Sequence, residues 1–330
     1  MVTAETTLRT RHACAAPLSA IDPRPPARIM PTMSQGIVEA QAGRADGYGA
    51  ARVQVMLGAA LFSTGGAAMK ACSFSGIQVA GLRSIIAVGL LVCALPSARR
   101  LRSPRVWLVG LAFAATMISF VAANKRTTAA NAIFLQATSP LFILLLSPVL
   151  LRERIRGRDL ALLAAILAGI SCFFIGAEPA RETATDPTVG NIFAIGSSVG
   201  YAFTIMGFRW LGKEEGGAAS PAAGAVAGNL IAFTTALPWI AEIRESRTSD
   251  WLAIGHLGLF QVGTAYVLVT SALRRVPALE ASLLLMIEPV LSPVWAFLLH
   301  GERPGPWGVA GGAVILAATL VHAAASSRRN

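Results

Sequence analysis

The sequence predicts an all-α integral membrane protein whose ten transmembrane helices form two inverted repeats of five helices each. Composition gives the first reason, because 54% of the 330 residues are hydrophobic and only 14% are charged, whereas a soluble domain carries about 25% charged residues. Ten apolar runs of membrane-spanning length give the second reason. A layout of landmarks that recurs along the chain gives the third.

Breaks in hydropathy separate the candidate spans. A helix needs about 20 mainly apolar residues to cross the hydrocarbon core of a bilayer. Spans one to ten are predicted at residues 53–72, 77–96, 106–123, 128–150, 158–176, 189–210, 220–241, 251–271, 276–299 and 304–323. Only about four residues separate spans three and four, and likewise eight and nine, so both pairs are expected to form tight antiparallel hairpins.

The recurring layout consists of a basic pair, an apolar run with a proline inside it, a Glu-Arg pair and a further apolar run. It occurs at Lys125-Arg126, Pro140 and Glu153-Arg154, and 149 positions later at Arg274-Arg275, Pro289 and Glu302-Arg303. Duplicated halves of this kind are a common construction of secondary transporters. Because each half has five spans, an odd number, the second half enters the membrane from the opposite side and the repeat is inverted.

The predicted domains follow this repeat. Residues 1–50 are rich in Ala, Pro and Arg and are expected to form a disordered cytosolic N-terminal tail. The first repeat then covers 51–178 and the second covers 187–324. The tail has no continuous apolar core before Val53, which argues against a cleaved secretory signal. Its arginine content leaves an organellar transit peptide as an alternative.

Basic residues near the spans predict the orientation through the positive-inside rule. With the N-terminus in the cytosol, 16 of them lie on the cytosolic side and 7 on the other. The cytosolic group is Arg44, Arg52, Arg99, Arg100, Arg102, Arg105, Arg152, Arg154, Arg156, Arg158, Arg209, Lys213, Arg274, Arg275, Arg328 and Arg329. The opposite group is Lys70, Lys125, Arg126, Arg181, Arg244, Arg247 and Arg303. We therefore expect a multi-pass protein of the inner membrane with both termini in the cytosol.

The net charge of +11 does not indicate nucleic-acid binding, because the basic residues lie in short breaks between apolar runs and are not interleaved with aromatic residues. The four cysteines and four histidines show no spacing typical of a disulfide framework or a metal site. Neither a metal nor a cofactor is expected.

Several segments resemble a known family. The stretch from Ala278 to Leu291, followed by Leu299–Arg303, is similar to the second-repeat signature of the EamA-type permeases of the drug/metabolite transporter superfamily, and Ala130–Glu153 matches the first-repeat version. The resemblance covers about residues 53–323. It implies a central cavity lined by spans one, three, four, six, eight and nine.

Glu288 and Pro289 form the most distinctive candidate site. Pro289 cannot donate a backbone hydrogen bond, so it is expected to kink span nine and to free a carbonyl. Glu288 lies about 13 residues, or roughly 20 Å, from the cytosolic start of that span. An ionised acid at that depth costs about 2.5 kcal/mol or more, so Glu288 is expected to be neutral part of the time, or paired. It is a candidate for proton coupling or for binding a substrate amine, and a purely structural kink is the alternative.

Other polar residues lie where the spans could line the cavity. Polar side chains in lipid must face water or other helices. The remaining candidates for substrate binding or coupling are Ser63, Lys70, Gln136, Ser139, Ser197, Tyr201, Thr204, Gln261 and Thr264. Helix packing is the alternative role for this set, and a plain interfacial lysine is the alternative for Lys70.

Three charged residues and three glycine pairs are expected to be structural. Arg83 could attract an anionic substrate group, but the resemblance places span two outside the cavity. Glu153 and Glu302 are expected to anchor helix ends by hydrogen bonds to neighbouring turns. The glycine pairs Gly196xxxGly200, Gly224xxxGly228 and Gly308xxxGly312 are expected to let helices approach closely.

These features together predict a secondary active transporter, an exporter of a small metabolite such as an amino acid, that works by alternating access with protons as a candidate coupling ion. The expected partners are the small-molecule substrate and the lipid bilayer, and a homodimer is an open alternative. A channel or a membrane enzyme acting on a lipid-linked phosphate is the competing interpretation. Neither a filter segment, nor a cluster of catalytic groups, nor an ATPase motif is present in the sequence.

Overall fold

The computed structural model describes residues 33–150, 157–175, 182–212, 219–272, 275–276, 281 and 284–327. Every regular element in these ranges is a helix, so the described part of the chain is all-helical, as the sequence predicts. Internal contacts divide the chain into residues 1–44 and residues 45–330. The larger unit contains the helices discussed below, apart from residues 33–44 at the start of the first helix.

The helices follow the predicted spans closely. In the first half they are α1 Met33–Ser63, α2 Gly65–Ala71, α3 Gly76–Ala94, a 3₁₀ turn Pro96–Arg99, α4 Pro104–Asn124, α5 Ala129–Gln136, α6 Ser139–Leu150 and α7 Gly157–Ile175. In the second half they are α8 Pro187–Gly212, α9 Pro221–Ala241, α10 Thr248–His256, a π-helical segment Leu257–Thr264, α11 Ala265–Ala272, α12 Ile287–His300 and α13 Pro306–Ser327.

Six of the described helical stretches are long and apolar enough to cross a membrane. They are Gly76–Ala94, Pro104–Asn124, Ala129–Leu146, Pro187–Gly212, Pro221–Ala241 and Thr248–Ala272. Shorter apolar helices cover Asp159–Ile175, Ile287–His300 and Pro306–His322. The predicted span 53–72 corresponds to the end of α1 and to α2, which are separated at Thr64. This is the composition of a multi-pass membrane protein.

Helix α1 begins at Met33, inside the segment for which the sequence predicts a disordered tail. Residues 33–50 are helical, and they include Ala, Glu, Gln and Arg residues of high helix propensity. Residues 1–32 lie outside the described part of the chain, so the expectation of disorder there stays a prediction.

Short polar residues begin several of the helices. Ser75 accepts a hydrogen bond from the backbone of Gln78 at 3.4 Å, and the Gln78 side chain accepts one from the Ser75 backbone at 2.8 Å. Thr128 caps α5 through Asn131, and Ser220 caps α9 in the same way. These caps partner backbone N–H groups that a helix start would otherwise leave free.

Spans four and nine are both interrupted near their middle. The first break is the turn at residues 137–138 between α5 and α6, and the second is the turn at Met286 before α12. Residue 286 lies 149 positions after residue 137, so the two breaks have the same spacing as the repeated sequence landmarks. Pro140 and Pro289 lie in the first turn of the helix that follows each break. Backbone N–H groups in a first turn have no acceptor within the helix, so a proline there costs no hydrogen bond. The predicted kink at Pro289 is therefore a helix restart rather than a bend in a continuous helix.

Small residues set the close helix contacts. Helix α4 packs along α8 and α9, and α7 packs along α13. A Cβ atom built on Gly228 would lie 2.6 Å from the Phe113 ring, and one on Gly200 would lie 2.7 Å from the Thr116 hydroxyl. Gly196 has nothing within 4 Å of such an atom, so the expected packing role is wrong there. Of the pair Gly196xxxGly200, only Gly200 lies in a helix contact, because Gly196 lies on the exposed side of α8.

Gly312 provides a test of this packing. A Cβ atom there would lie 2.4 Å from the Phe134 ring, so Gly312→Leu must displace that ring. We expect a loss of about 1–3 kcal/mol and a lower melting temperature of the purified protein in detergent. The matched control is Gly89→Leu on α3, where nothing lies within 4 Å. Equal melting temperatures for the two variants would show that α13 does not pack as described.

Candidate functional site

A buried ion pair ties together one end of the helix bundle. The Lys70 Nζ atom lies 3.1 Å from Glu302 Oε2, and the two side chains are 4% and 3% exposed. Lys70 also donates to the carbonyl of Thr127 at 2.8 Å and to the carbonyl of Thr183. Glu302 Oε1 accepts a hydrogen bond from the Ala129 backbone at the start of α5. We call these five residues the ion-pair network.

The network joins segments that are distant in the sequence. Lys70 comes from the end of α2, Glu302 from the loop between α12 and α13, and their partners from the α4–α5 turn and the loop before α8. Glu302 anchors a helix start by a hydrogen bond, which confirms the prediction for this residue. Its repeat mate Glu153 lies outside the described residues. The alternative of a plain interfacial lysine is wrong for Lys70, because Glu302 neutralises its charge inside the protein.

A second polar contact closes the same end. The Asp250 carboxylate accepts from both the backbone and the hydroxyl of Ser73 at 2.7 Å, and from the Arg247 backbone at 2.9 Å. The Phe74 and Trp251 rings meet edge to face at 5.5 Å beside it. The turn after α2 is thus fixed to the start of α10. No feature of the sequence distinguishes Asp250 from an ordinary helix cap.

Hydroxyl and amide groups join spans three, four and six in the interior. Gln136 Nε2 donates to Ser197 Oγ at 2.7 Å, and Ser197 donates to the carbonyl of Thr116 at 3.1 Å. The hydroxyls of Thr116 and Thr204 lie 3.3 Å apart. Ser139, the first residue of α6, is 5% exposed. Of the predicted stripe on α8, Ser197 and Thr204 therefore face neighbouring helices.

Tyr201, the third member of that stripe, is associated with Glu288. Glu288 lies in the first turn of α12 and interacts electrostatically with the Tyr201 phenol, which in turn interacts with Tyr266. Glu288 makes no hydrogen bond or ion pair with the described residues, and Tyr201 is 38% exposed. The first turn of a helix favours negative charge through the helix dipole. Glu288 is thus an acid that lies in the first turn of a helix and has no counter-ion among the described residues.

An aromatic cluster centred on Tyr266 is formed by four spans. The Tyr266 ring makes edge-on contacts with Phe62 at 6.4 Å, Phe113 at 6.2 Å and Phe208 at 6.4 Å. Phe62 precedes Lys70 by eight positions, about 12 Å along a helix. The aromatic cluster and the ion-pair network therefore lie at different levels of the bundle, and Tyr266 links the cluster to Tyr201. Sequence reasoning missed Tyr266, since an aromatic residue in an apolar run gives no distinct signal.

The break between α1 and α2 brings further candidates together. Ser63 accepts from the indole N–H of Trp295 at 3.0 Å, which joins spans one and nine. Next to it, Thr64 contacts His256 at 2.9 Å. Gln261, in the π-helical segment, accepts from Arg83 at 3.1 Å. Thr264 donates to the Leu259 carbonyl of its own segment, so it is not brought to the other candidates.

Comparison with known proteins assigns the family. The EamA-like transporter family matches residues 51–175 and again residues 188–323. The chain belongs to this family. An uncharacterized transporter of Archaeoglobus fulgidus is 28% identical over 206 residues, which cover 62% of this chain and 71% of that protein. A protein of known crystal structure shares the fold with a TM-score of 0.58 at 22% identity, over 85% of this chain and 99% of that one.

The EamA-like family matches the chain twice, once in each half. This agrees with the duplication that the repeated sequence landmarks indicate. The family and the apolar helices together establish a multi-pass membrane protein of a transporter family. Within the part of the chain that the structure describes, no three or more His, Cys, Asp or Glu side chains are grouped as a metal site would require.

The ion-pair network can be tested by a double-mutant cycle. Lys70→Met leaves the Glu302 charge buried without a partner, so we expect a loss of about 3–5 kcal/mol. Lys70→Met/Glu302→Gln should regain much of this loss, because the amide oxygen can still accept from Ala129. The measurement is thermal unfolding in detergent, with Arg244→Met at an exposed position as the control. A double variant as unstable as Lys70→Met would contradict the pairing.

Proposed function

We propose that the protein is a secondary active transporter that exports a small metabolite, such as an amino acid, across the inner membrane by alternating access. Its ten spans form two inverted halves, and both termini lie in the cytosol. The observation that carries this proposal is that Glu288, on an apolar helix of a bundle closed at one end by the ion-pair network, has no hydrogen-bond or ion-pair partner among the described residues.

The repeat supports the proposed architecture. The helix breaks at residues 137–138 and 286 recur at the 149-residue period of the landmarks, and the family matches once in each half. Broken helices near the midplane are where many transporters bind substrate, because a helix end there exposes backbone groups and a dipole. Ser139 and Glu288 occupy equivalent positions at these two helix starts.

The ion-pair network fits a state that is closed on the non-cytosolic side. Lys70, Thr127 and Glu302 come from segments that the orientation places outside the cell. Rocking of one half against the other would separate α2 from the α12–α13 loop and break the Lys70–Glu302 pair. Each opening would therefore need these charges to be rehydrated, which water in an open cavity supplies.

Proton coupling follows from the chemistry of Glu288. Its carboxylate has no hydrogen-bond or ion-pair partner among the described residues, so its charge state is free to change without breaking a contact. The neighbouring phenol of Tyr201 and the amide of Gln136 offer groups that a polar solute could bind. In the proposed cycle, protonation of Glu288 alternates with substrate binding.

The orientation can be checked by cysteine labelling. Single cysteines replacing Ser327, near the C-terminus, and Thr185, in a predicted outside loop, are tested in intact cells with a membrane-impermeant maleimide, in a background with the native cysteines removed. We expect Thr185→Cys to react and Ser327→Cys to react only after lysis, because basic residues favour the cytosolic side by 16 to 7. Labelling of Ser327→Cys in intact cells would refute the orientation.

Glu288→Gln tests the coupling role. The amide keeps the shape and hydrogen-bonding capacity of the side chain but cannot ionise, so we expect normal counterflow and at least a tenfold loss of accumulation driven by a pH gradient. The assay uses purified protein in liposomes, with a substrate found by a thermal-shift screen of amino acids, nucleobases and sugars. The matched control is Glu242→Gln, an exposed acid at the end of α9.

The same assay separates a carrier from the alternatives. Only a carrier shows uptake stimulated by unlabelled substrate on the opposite side, so its absence would favour a channel or an enzyme. Undiminished accumulation by Glu288→Gln would leave the transporter assignment in place but remove Glu288 from coupling.

A further inference from the structure

Arg83 is a buried cation that has no counter-ion among the residues that the structure describes. It lies on α3, only 1% exposed, and is among the largest fully buried side chains of the protein. No carboxylate of the described residues lies within ion-pair distance of its guanidinium. An arginine keeps its charge under all ordinary conditions, so this charge stays inside the bundle.

Only the Nη1 side of the Arg83 guanidinium makes a good hydrogen bond. Nη1 donates to Gln261 Oε1 at 3.1 Å. Nη2 has only the thioether sulfur of Met117 at 3.5 Å, which is a weak acceptor. Nε has no hydrogen-bond partner. The edge formed by Nε and Nη2 is the edge that binds the two oxygens of a carboxylate side by side.

A buried charge of this kind is costly unless an opposite charge joins it. The cost of an unpaired arginine in the membrane interior is at least about 2.5 kcal/mol, and neutral groups such as an amide and a thioether do not neutralise it. The protein forms a full ion pair for Lys70 but not for Arg83. The described residues supply no anion to Arg83, so its guanidinium is suited to bind one that comes from outside the bundle.

The surroundings connect Arg83 with the centre of the bundle. A Cβ atom built on Gly65 would lie 2.9 Å from the Gln261 amide nitrogen, so this amide reaches from Arg83 to the break between α1 and α2. Ser63, two residues earlier, meets Trp295 of span nine. Gln261 also lies within a π-helical segment, a distortion often found at functional sites. Span two thus reaches, through Gln261, the spans that line the predicted cavity.

We propose that the transported solute carries a carboxylate and that Arg83, assisted by Gln261, binds it. The proposal rests on the transport function proposed above and gives its substrate class. The two carboxylate oxygens accept from Nε and Nη2 of Arg83, while Gln261 holds the guanidinium in place by accepting from Nη1. The proposal gives Arg83 a binding role in place of the structural role that the sequence favours.

The test measures binding of a minimal carboxylate. Purified protein in detergent is titrated with sodium propionate, with sodium chloride at the same ionic strength, and with propionamide in that chloride buffer. Propionamide has the same shape as propionate but no charge. We expect propionate alone to raise the melting temperature, saturably, by about 2–4 °C. An equal rise with chloride would identify an inorganic-anion site and overturn the carboxylate assignment.

Two variants locate the effect at Arg83. Arg83→Lys keeps the charge but removes the Nε and Nη2 edge, so the propionate response should fall at least tenfold in apparent affinity. Gln261→Glu places a carboxylate beside Nη1 and supplies the missing counter-ion within the chain, so this variant should fold and lose the response. The exposed Arg244→Lys is the matched control and should respond as the parent does.

Every outcome decides the proposal. No propionate response in the parent, or a response that persists in both Arg83→Lys and Gln261→Glu, overturns it. Counterflow of the screened substrate is measured on the same preparations. If counterflow is observed but the propionate response does not depend on Arg83, the protein is still a transporter and the carboxylate site is wrong. If the propionate response depends on Arg83 but counterflow is absent, only the transport function is contradicted.

Discussion

The absence of water from the hydrocarbon core is the constraint on which the rest of the structure depends. A polar group there must find its partner inside the protein, and the protein meets this requirement mainly by contacts between distant segments. Lys70 is paired with Glu302, Asp250 with Ser73, and Gln136 with Ser197. Each contact holds two or more helices in a fixed relation. The polar residues of this apolar chain therefore specify how its helices assemble.

The groups that break this rule are as informative as those that obey it. Among the described residues, the Nε group of Arg83 has no hydrogen-bond partner, and the carboxylate of Glu288 makes no hydrogen bond or ion pair. Both lie on spans packed into the bundle, and both are linked to candidate cavity residues, one to Tyr201 and the other to Gln261. Unpartnered ionisable groups at membrane depth are costly to keep, and function gives the reason to keep them.

The sequence predicts the helices well because hydropathy, proline and helix caps are local signals. The all-helical class, the family and an irregularity near Pro289 follow from such signals, whereas the sequence does not predict the break near Pro140. The pairings between side chains do not follow from local signals. Lys70 and Glu302 are far apart in the sequence, and either could equally have faced water at a helix end. The same limit hides Trp295, Tyr266 and Asp250, whose roles depend on what lies across the bundle. Arg83 is visible in the sequence as a charge in an apolar run, but only the three-dimensional structure shows that none of the described acids pairs with it.

The Lys70–Glu302 pair also sets the order in which the protein can be completed. Ribosomes add about 5–20 residues per second, so the roughly 230 residues between the two partners take on the order of 10–50 s to synthesise. During that interval α2 is already in place while its lysine has no acid to meet. Lys70 must stay in contact with water or with lipid headgroups, as long basic side chains near helix ends can. That end of the bundle therefore cannot close until the α12–α13 loop of the nascent chain has been made and brings Glu302 to Lys70.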